Sequence, residues 1–109
     1  MLDTASTARI VLTTASNADE AQRIARTLVE ERLAACATLL PAAQSIYRWQ
    51  GKVETSSEVL ILLKTSAEQL PSLEARMHAL HSYDTPEFLV LRVDSASRRT
   101  SPATTANPR

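Results

Sequence analysis

The chain has 109 residues, of which 44% are hydrophobic and 22% are charged, a balance typical of one soluble globular domain. Its 12 basic and 12 acidic residues cancel, so the charge balance favours neither nucleic acid nor a membrane surface as a partner. Cys36 is the only cysteine, which excludes an internal disulfide and leads us to expect a reducing, cytoplasmic setting. No apolar run is long enough to span a membrane.

A strand and a helix are predicted first. Residues 1–8 are small and polar, and we expect a flexible N-terminus. The run 9–14 is rich in β-branched residues and predicts a strand. Asn17 is a good N-cap and Glu20 follows three residues later, as in a capping box. Apolar residues at helical spacing then predict a helix over 18–32.

A long β-hairpin is predicted next. Residues 35–40 and 45–50 are expected to form one strand, in which Pro41 marks a bulge or an edge because proline cannot donate a ladder hydrogen bond. Gly51 stands where a hairpin turn needs a positive φ, and residues 53–65 form the return strand. Both strands are longer than the usual length of about five or six residues. Two helices cannot cover the whole hairpin, and its uncovered edge favours contact with another chain.

The last elements complete the predicted fold. Ser66 can cap a second helix, with Gln69 at the capping-box position, and residues 86–93 predict the fourth strand. Residues 94–109 lack periodicity and predict a disordered tail. The order βαββαβ over residues 9–93 predicts an α+β, ferredoxin-like domain, in which a four-stranded antiparallel sheet carries two helices on one face.

A polar segment precedes the fourth strand. Residues 81–87 read His-Ser-Tyr-Asp-Thr-Pro-Glu and place an imidazole, a phenol and two carboxylates in a loop, where binding groups often lie. The same segment also suits a plain turn, because Asp84 and Pro86 are common turn residues. Taken alone, the segment favours the turn.

Three familiar functions of this fold lack their residues. Residues 14–19 contain neither the cysteine pair of a metal chaperone nor the glycine and arginine of an acylphosphatase-like anion loop. Residues 9–14 and 59–63 contain no aromatic side chain on which an RNA base could stack. No nucleophile–base set or phosphate loop is visible, so we expect that the protein is not an enzyme.

Four blocks of the sequence together resemble one family. The blocks are Leu33–Ala37, Ile46–Lys52, Leu62–Thr65 and His81–Glu87. In this order and spacing they resemble the CutA divalent-cation tolerance proteins over about residues 10–93. The resemblance implies a PII-like homotrimer, joined through the long hairpin, that confers tolerance of divalent cations, copper especially. The chain departs from the family after the fourth strand, where Arg92 replaces a proline and no closing segment with Tyr and Trp follows.

Three residues are candidate metal ligands in a cleft between subunits. Cys36 offers a soft thiolate that suits copper, His81 is expected to be exposed at the end of the second helix, and Glu87 offers a hard oxygen. Each also has a plainer role: Cys36 as a small core residue, His81 as a cation at a helix C-terminus, and Glu87 as part of the turn.

Five further residues are candidates for a ligand cleft or an interface, namely Tyr47, Arg48, Trp49, Lys64 and Tyr83. We therefore predict a cytoplasmic, non-enzymatic homotrimer that binds a copper-type divalent ion weakly. The alternative is a PII-like signalling or interaction module whose inter-subunit cleft binds a small anionic metabolite near Arg48 and Lys64, or docks an unknown partner protein.

Overall fold

The computed structural model describes residues 2–4 and 6–97. The elements in chain order are β1 (Leu2–Thr4), β2 (Ala8–Ala15), α1 (Ala18–Glu30), β3 (Cys36–Trp49), β4 (Lys52–Ser66), a 3₁₀ turn (Ala67–Gln69), α2 (Leu70–Leu80), β5 (Leu89–Arg92) and β6 (Ser95–Ser97). Without the two short terminal strands, this is the βαββαβ order that the sequence predicts.

The main sheet has the strand order β3-β4-β2-β5, and all its neighbouring strands are antiparallel. Alternate residues of β2 from Val11 to Ala15 and of β4 from Val59 to Thr65 are fully or almost fully buried, because they lie under the two helices. The core joins strand residues to both helices and is made chiefly of Val11, Ala15, Ile24, Leu28, Val59, Ile61, Leu63, Leu73 and Met77. The predicted ferredoxin-like arrangement, with two helices on one face of the sheet, is confirmed.

Helix α1 begins as predicted, although only half of the capping box forms. Asn17 has an extended backbone, and its Oδ1 accepts a hydrogen bond of 2.8 Å from the Glu20 amide. The Glu20 carboxylate accepts from Ser16 and Ser82 and not from the Asn17 amide. The helix ends at Glu30, two residues earlier than predicted, since Arg32 takes a left-handed backbone with φ 62°.

The β3–β4 hairpin has a bulge at Pro41, which is one of the two alternatives that the sequence leaves open. The register shifts between Leu40 and Ala43, so Pro41 and Ala42 form a bulge and do not end the strand. Gln50 and Gly51 both have positive φ, as a two-residue hairpin turn requires. Strand β2 pairs with β4 only as far as Val59, so most of the hairpin beyond that residue has no third strand beside it.

Helix α2 begins differently from the prediction. Ser66 makes no side-chain cap, and the prediction of a capping box with Gln69 is wrong. The chain instead passes through the 3₁₀ turn, and Pro71 lies in the first turn of α2, where no intrahelical amide donor is needed. Strand β5 is shorter than predicted because it pairs only with residues 9–12 of β2.

The two terminal strands were not predicted. Strands β1 and β6 pair with each other in register from Leu2↔Ser97 to Thr4↔Ser95. Backbone pairing of this kind needs no apolar alternation, so the local sequence gives no signal for it. The rest of the predicted tail, 98–109, and residues 1 and 5 lie outside the described residues. In the described part of the chain, no helix is long and apolar enough to cross a membrane.

Candidate functional site

A buried carboxylate fastens the loop between α2 and β5, residues 81–88, to the start of α1. Glu20 is only 7% exposed, and within the described ranges it is the one buried acidic residue. Its Oε2 accepts a 2.8 Å hydrogen bond from the Ser82 amide, while Oε1 accepts from the Ser16 hydroxyl at 3.0 Å. Burial raises the pKa of Glu20, but hydrogen bonds from Ser82 and Ser16 outweigh it and lower the pKa to about 2. Glu20 is therefore a fixed negative charge inside the protein.

His81 is buried, so the prediction that it is exposed is wrong. Its ring Nε2 lies 2.7 Å from the Thr14 carbonyl oxygen, and its Nδ1 accepts a 3.0 Å hydrogen bond from the Tyr83 amide. The neutral ring with a proton on Nε2 satisfies both contacts. Both ring nitrogens are thus engaged inside the protomer, and His81 would have to give up one of these bonds to ligate a metal. Its predicted role as a ligand stays a prediction.

The Tyr83 phenol meets a second carboxylate, Glu58 of β4. The Tyr83 hydroxyl donates a 2.8 Å hydrogen bond to Glu58 Oε2, and the Ser45 hydroxyl donates to Oε1. Burial raises the pKa of Glu58, but hydrogen bonds from Ser45, Tyr83 and Thr14 lower it overall. Burial and the Glu58 carboxylate both raise the pKa of the Tyr83 phenol. Tyr83 is therefore held as a neutral donor beside the middle of the β3–β4 hairpin, where Glu58 pairs with Ala43.

Cys36 and Lys64 lie side by side on β3 and β4. They are paired across the two strands, and both are partly exposed. Lys64 stands between Leu63 and Thr65, which face the helices, so Lys64 and Cys36 belong to the opposite face of the sheet. Ala37 and Leu39, which follow Cys36 on β3, line a surface groove of about 460 Å³ between α1 and β3, on the helix side of the sheet. Because Cys36 is only partly buried, it is not a fully buried core residue.

The predicted metal ligands do not form a complete site within one protomer. Among residues 2–4 and 6–97, no three His, Cys, Asp or Glu side chains come together in a way that could hold a metal ion. Glu87 is exposed in the 81–88 loop, whereas Cys36 lies at the start of β3. Within the described part of one chain, Cys36 and Glu87 therefore belong to no common group of three ligands.

The hairpin candidates lie at the opposite end of the sheet from Lys64. Tyr47, Arg48 and Trp49 are exposed near the hairpin tip, where Arg48 pairs with Val53. Eleven residues of extended strand separate Val53 from Lys64, a distance of roughly 36 Å. One protomer therefore does not bring Arg48 and Lys64 to a common anion.

Glu20 and Glu58 form a polar cluster with His81, Ser82 and Tyr83, and the sequence alone does not predict the part that these two carboxylates play. Glu20 was interpreted only as a capping residue, because its contact with Ser82 joins positions 62 residues apart. Glu58 gave a weak signal, as a charged residue directly before the apolar run of β4. Both contacts, Glu20 with Ser82 and Glu58 with Tyr83, join residues far apart in the sequence and form only in the folded chain.

The chain is similar to CutA proteins along most of its length. It matches the family described as CutA1 divalent ion tolerance protein over residues 9–101. It is 45% identical over 89 residues to the divalent-cation tolerance protein CutA of Thermus thermophilus, covering 82% of this chain and 86% of that protein. It is 49% identical over 84 residues to the protein of that name from Pectobacterium atrosepticum, covering 77% and 76% of the two chains.

Solved structures show the same likeness in three dimensions. The structure of CutA1 from Oryza sativa superimposes with a TM-score of 0.88 at 31% identity and covers 94% of each chain. The Thermus thermophilus protein superimposes with a TM-score of 0.85 at 42% identity, covering 88% of this chain and 93% of that one. Sequence and fold agree that this chain belongs to the CutA1 divalent ion tolerance protein family.

Proposed function

We propose that this CutA family member is a non-enzymatic homotrimer that binds a copper-type divalent ion weakly, between its subunits. The observation that carries the proposal is the match to a divalent ion tolerance family over residues 9–101. The partly exposed thiol of Cys36 supports it, because sulfur is a ligand that copper prefers.

Exposed apolar side chains support self-association. Trp49 and Val53 of the hairpin are 61% and 64% exposed, and Leu89 and Leu91 of the edge strand β5 are about half exposed. These side chains form two separate exposed apolar regions, one at the hairpin tip and one on β5, and exposed apolar surface often marks an interface. An assembly through the hairpin and the sheet face without helices would cover these side chains.

A site between subunits is also the arrangement that the ligand geometry favours. One described protomer gathers no three candidate ligands, while Cys36 and Glu87 remain accessible from outside. Cys36 lies at the start of β3 and Glu87 in the 81–88 loop, so in the proposed site a second subunit brings such ligands together. We propose Cys36 and Glu87 as its accessible members.

The polar cluster supports a binding protein more than an enzyme. The Glu20 and Glu58 carboxylates and both His81 nitrogens are already bonded to protein groups, so none of these three side chains is free to act as a general base. We also propose a reducing, cytoplasmic setting, since the single Cys36 has no partner for a disulfide within the chain.

Calorimetric titration with Cu²⁺ tests the proposal. Replacing Cys36 by Ser should weaken binding at least about tenfold, the smallest cost usual for disturbing a metal site. His78→Ala is the matched control, because His78 is exposed on α2 and belongs to no proposed site, and it should bind as the parent does. Equal affinity in the parent and the Cys36→Ser variant would show that the thiol is not a ligand.

A thermal-shift comparison on the same sample addresses the metabolite alternative. Under the proposal, Cu²⁺ raises the melting temperature and a nucleotide such as ATP does not. Stabilisation by ATP alone would reverse this ranking, and would require Arg48 of one subunit to lie near Lys64 of another.

A further inference from the structure

Glu20 links the segment before α1 to the loop after α2, and it lies beside His81 without contacting Cys36 or Glu87. It lies in the first turn of α1, and its two oxygens bind the segment before that helix and the segment after α2. An ionised carboxylate is costly to bury unless several donors compensate it. Glu20 has three donors from Ser16 and Ser82, and the His81 ring Nδ1 lies 4.0 Å from its Oε2.

The residues on either side of Ser82 are fastened to two further strands. His81 binds the Thr14 carbonyl at the end of β2, and Tyr83 binds Glu58 of β4. The His81 and Tyr83 rings also stack at a tilt, with centroids 4.6 Å apart. Strand β2, helix α1 and strand β4 therefore each bind one residue of the segment 81–83, and Glu20 of α1 binds the middle residue, Ser82.

We propose that Glu20 is a positioning residue that fixes the 81–88 loop, and with it Tyr83 and Glu87, in the arrangement that binding between subunits needs. The loop runs from the end of α2 to β5 and contains no regular secondary structure, so its order depends on side-chain contacts. The part of the inference that concerns binding rests on the proposed function; the part that concerns the loop does not.

Hydrogen exchange of the full-length protein tests the loop directly. In Glu20→Ala the Ser82 amide loses its buried acceptor, and we expect the Ser82 and Tyr83 amides to exchange at least about tenfold faster. The Leu28 amide in the buried part of α1 reports global opening and should change much less. An equal acceleration at all three amides would show a merely structural role and overturn the proposal.

Two further variants distinguish the loss of the Glu20 hydrogen bonds from a general destabilisation of the protein. Glu20→Gln keeps one acceptor oxygen, which can serve Ser82 or Ser16 but not both, so exchange should fall between the parent and Glu20→Ala. Asp19→Asn is the matched control, because Asp19 is exposed in the same turn of α1, and its loop should exchange as in the parent. If the loop amides exchanged as fast in Glu20→Gln as in Glu20→Ala, the retained oxygen would not position the loop, and the proposal would be contradicted.

Cu²⁺ titration of the same variants completes the test. We expect Glu20→Ala to bind roughly 10–100-fold more weakly than the parent, the range found when a group that supports a ligand is removed. A faster loop with unchanged Cu²⁺ affinity would overturn the link to binding while leaving the proposed function intact. If the parent itself bound no Cu²⁺, the proposed function would fail, and the exchange data would still decide whether Glu20 holds the loop.

Discussion

Two buried threonines on neighbouring strands differ in the use of their hydroxyls. Thr13 of β2 and Thr65 of β4 both face the helices and are almost fully buried. The Thr65 hydroxyl donates a 2.7 Å hydrogen bond to the Leu33 carbonyl, whereas the Thr13 hydroxyl has no partner in the described part of the chain. An unsatisfied buried hydroxyl destabilises the folded state, so these two positions should respond oppositely to the same substitution.

Thr13→Val should stabilise the protein and Thr65→Val should destabilise it. Valine keeps the β-branched shape that a strand favours, so the main change is loss of the hydroxyl. We expect the free energy of unfolding to rise by about 1 kcal/mol in Thr13→Val and to fall by about 1–2 kcal/mol in Thr65→Val. Urea unfolding of the two variants measures both changes, and destabilisation of similar size in both would contradict this account of Thr13.

Among the elements, the β3–β4 hairpin contains the most unusual backbone. Ala42, at the bulge after Pro41, has φ 60°, a region in which a side chain with a Cβ is strained by about 1–2 kcal/mol. The bulge lets β3 remain paired with β4 from Cys36 to Trp49 although Pro41 interrupts the ladder. The length of the hairpin is therefore maintained at the cost of one strained residue.

Ala42→Gly should relieve this strain. Glycine adopts a positive φ freely, and after its own entropy cost we expect the free energy of unfolding to rise by about 0.5–1 kcal/mol. The neighbouring change Ala43→Gly has no positive φ to relieve and should lower it by about 0.5–1 kcal/mol. Thermal unfolding of the pair measures the difference, and equal destabilisation would show that residue 42 is not strained.

Local signals decided which elements could be predicted. The Asn17 cap and the Gln50-Gly51 turn depend on residues next to each other, and both formed as expected. The prediction of the start of α2 is wrong, because a 3₁₀ turn and Pro71 take the place of a Ser66 cap. Both arrangements are compatible with the same local sequence. The contact of Glu20 with the 81–88 loop spans 62 residues and has no local signal at all.

For the whole molecule, the four sequence blocks predicted the family, and the match over residues 9–101 confirms it. Self-association is not part of what one chain shows, and only its exposed apolar surface bears on it. The sheet face without helices carries Leu12, Leu62 and Leu91, and the hairpin extends beyond β2 with Trp49 exposed. Burial of this apolar surface would supply the main driving force for a trimer, at about 25 cal/mol per Å² removed from water. The trimer itself stays a prediction.

Native mass spectrometry of the full-length protein, without and with Cu²⁺, tests the central claim most directly. We predict one assembly with a mass of three times 11.9 kDa that gains copper as the ion is added and loses it on addition of a chelator. A monomeric mass, or a trimer that takes up no copper at any concentration at which it stays folded, would contradict the claim that this protein binds a divalent ion between its subunits.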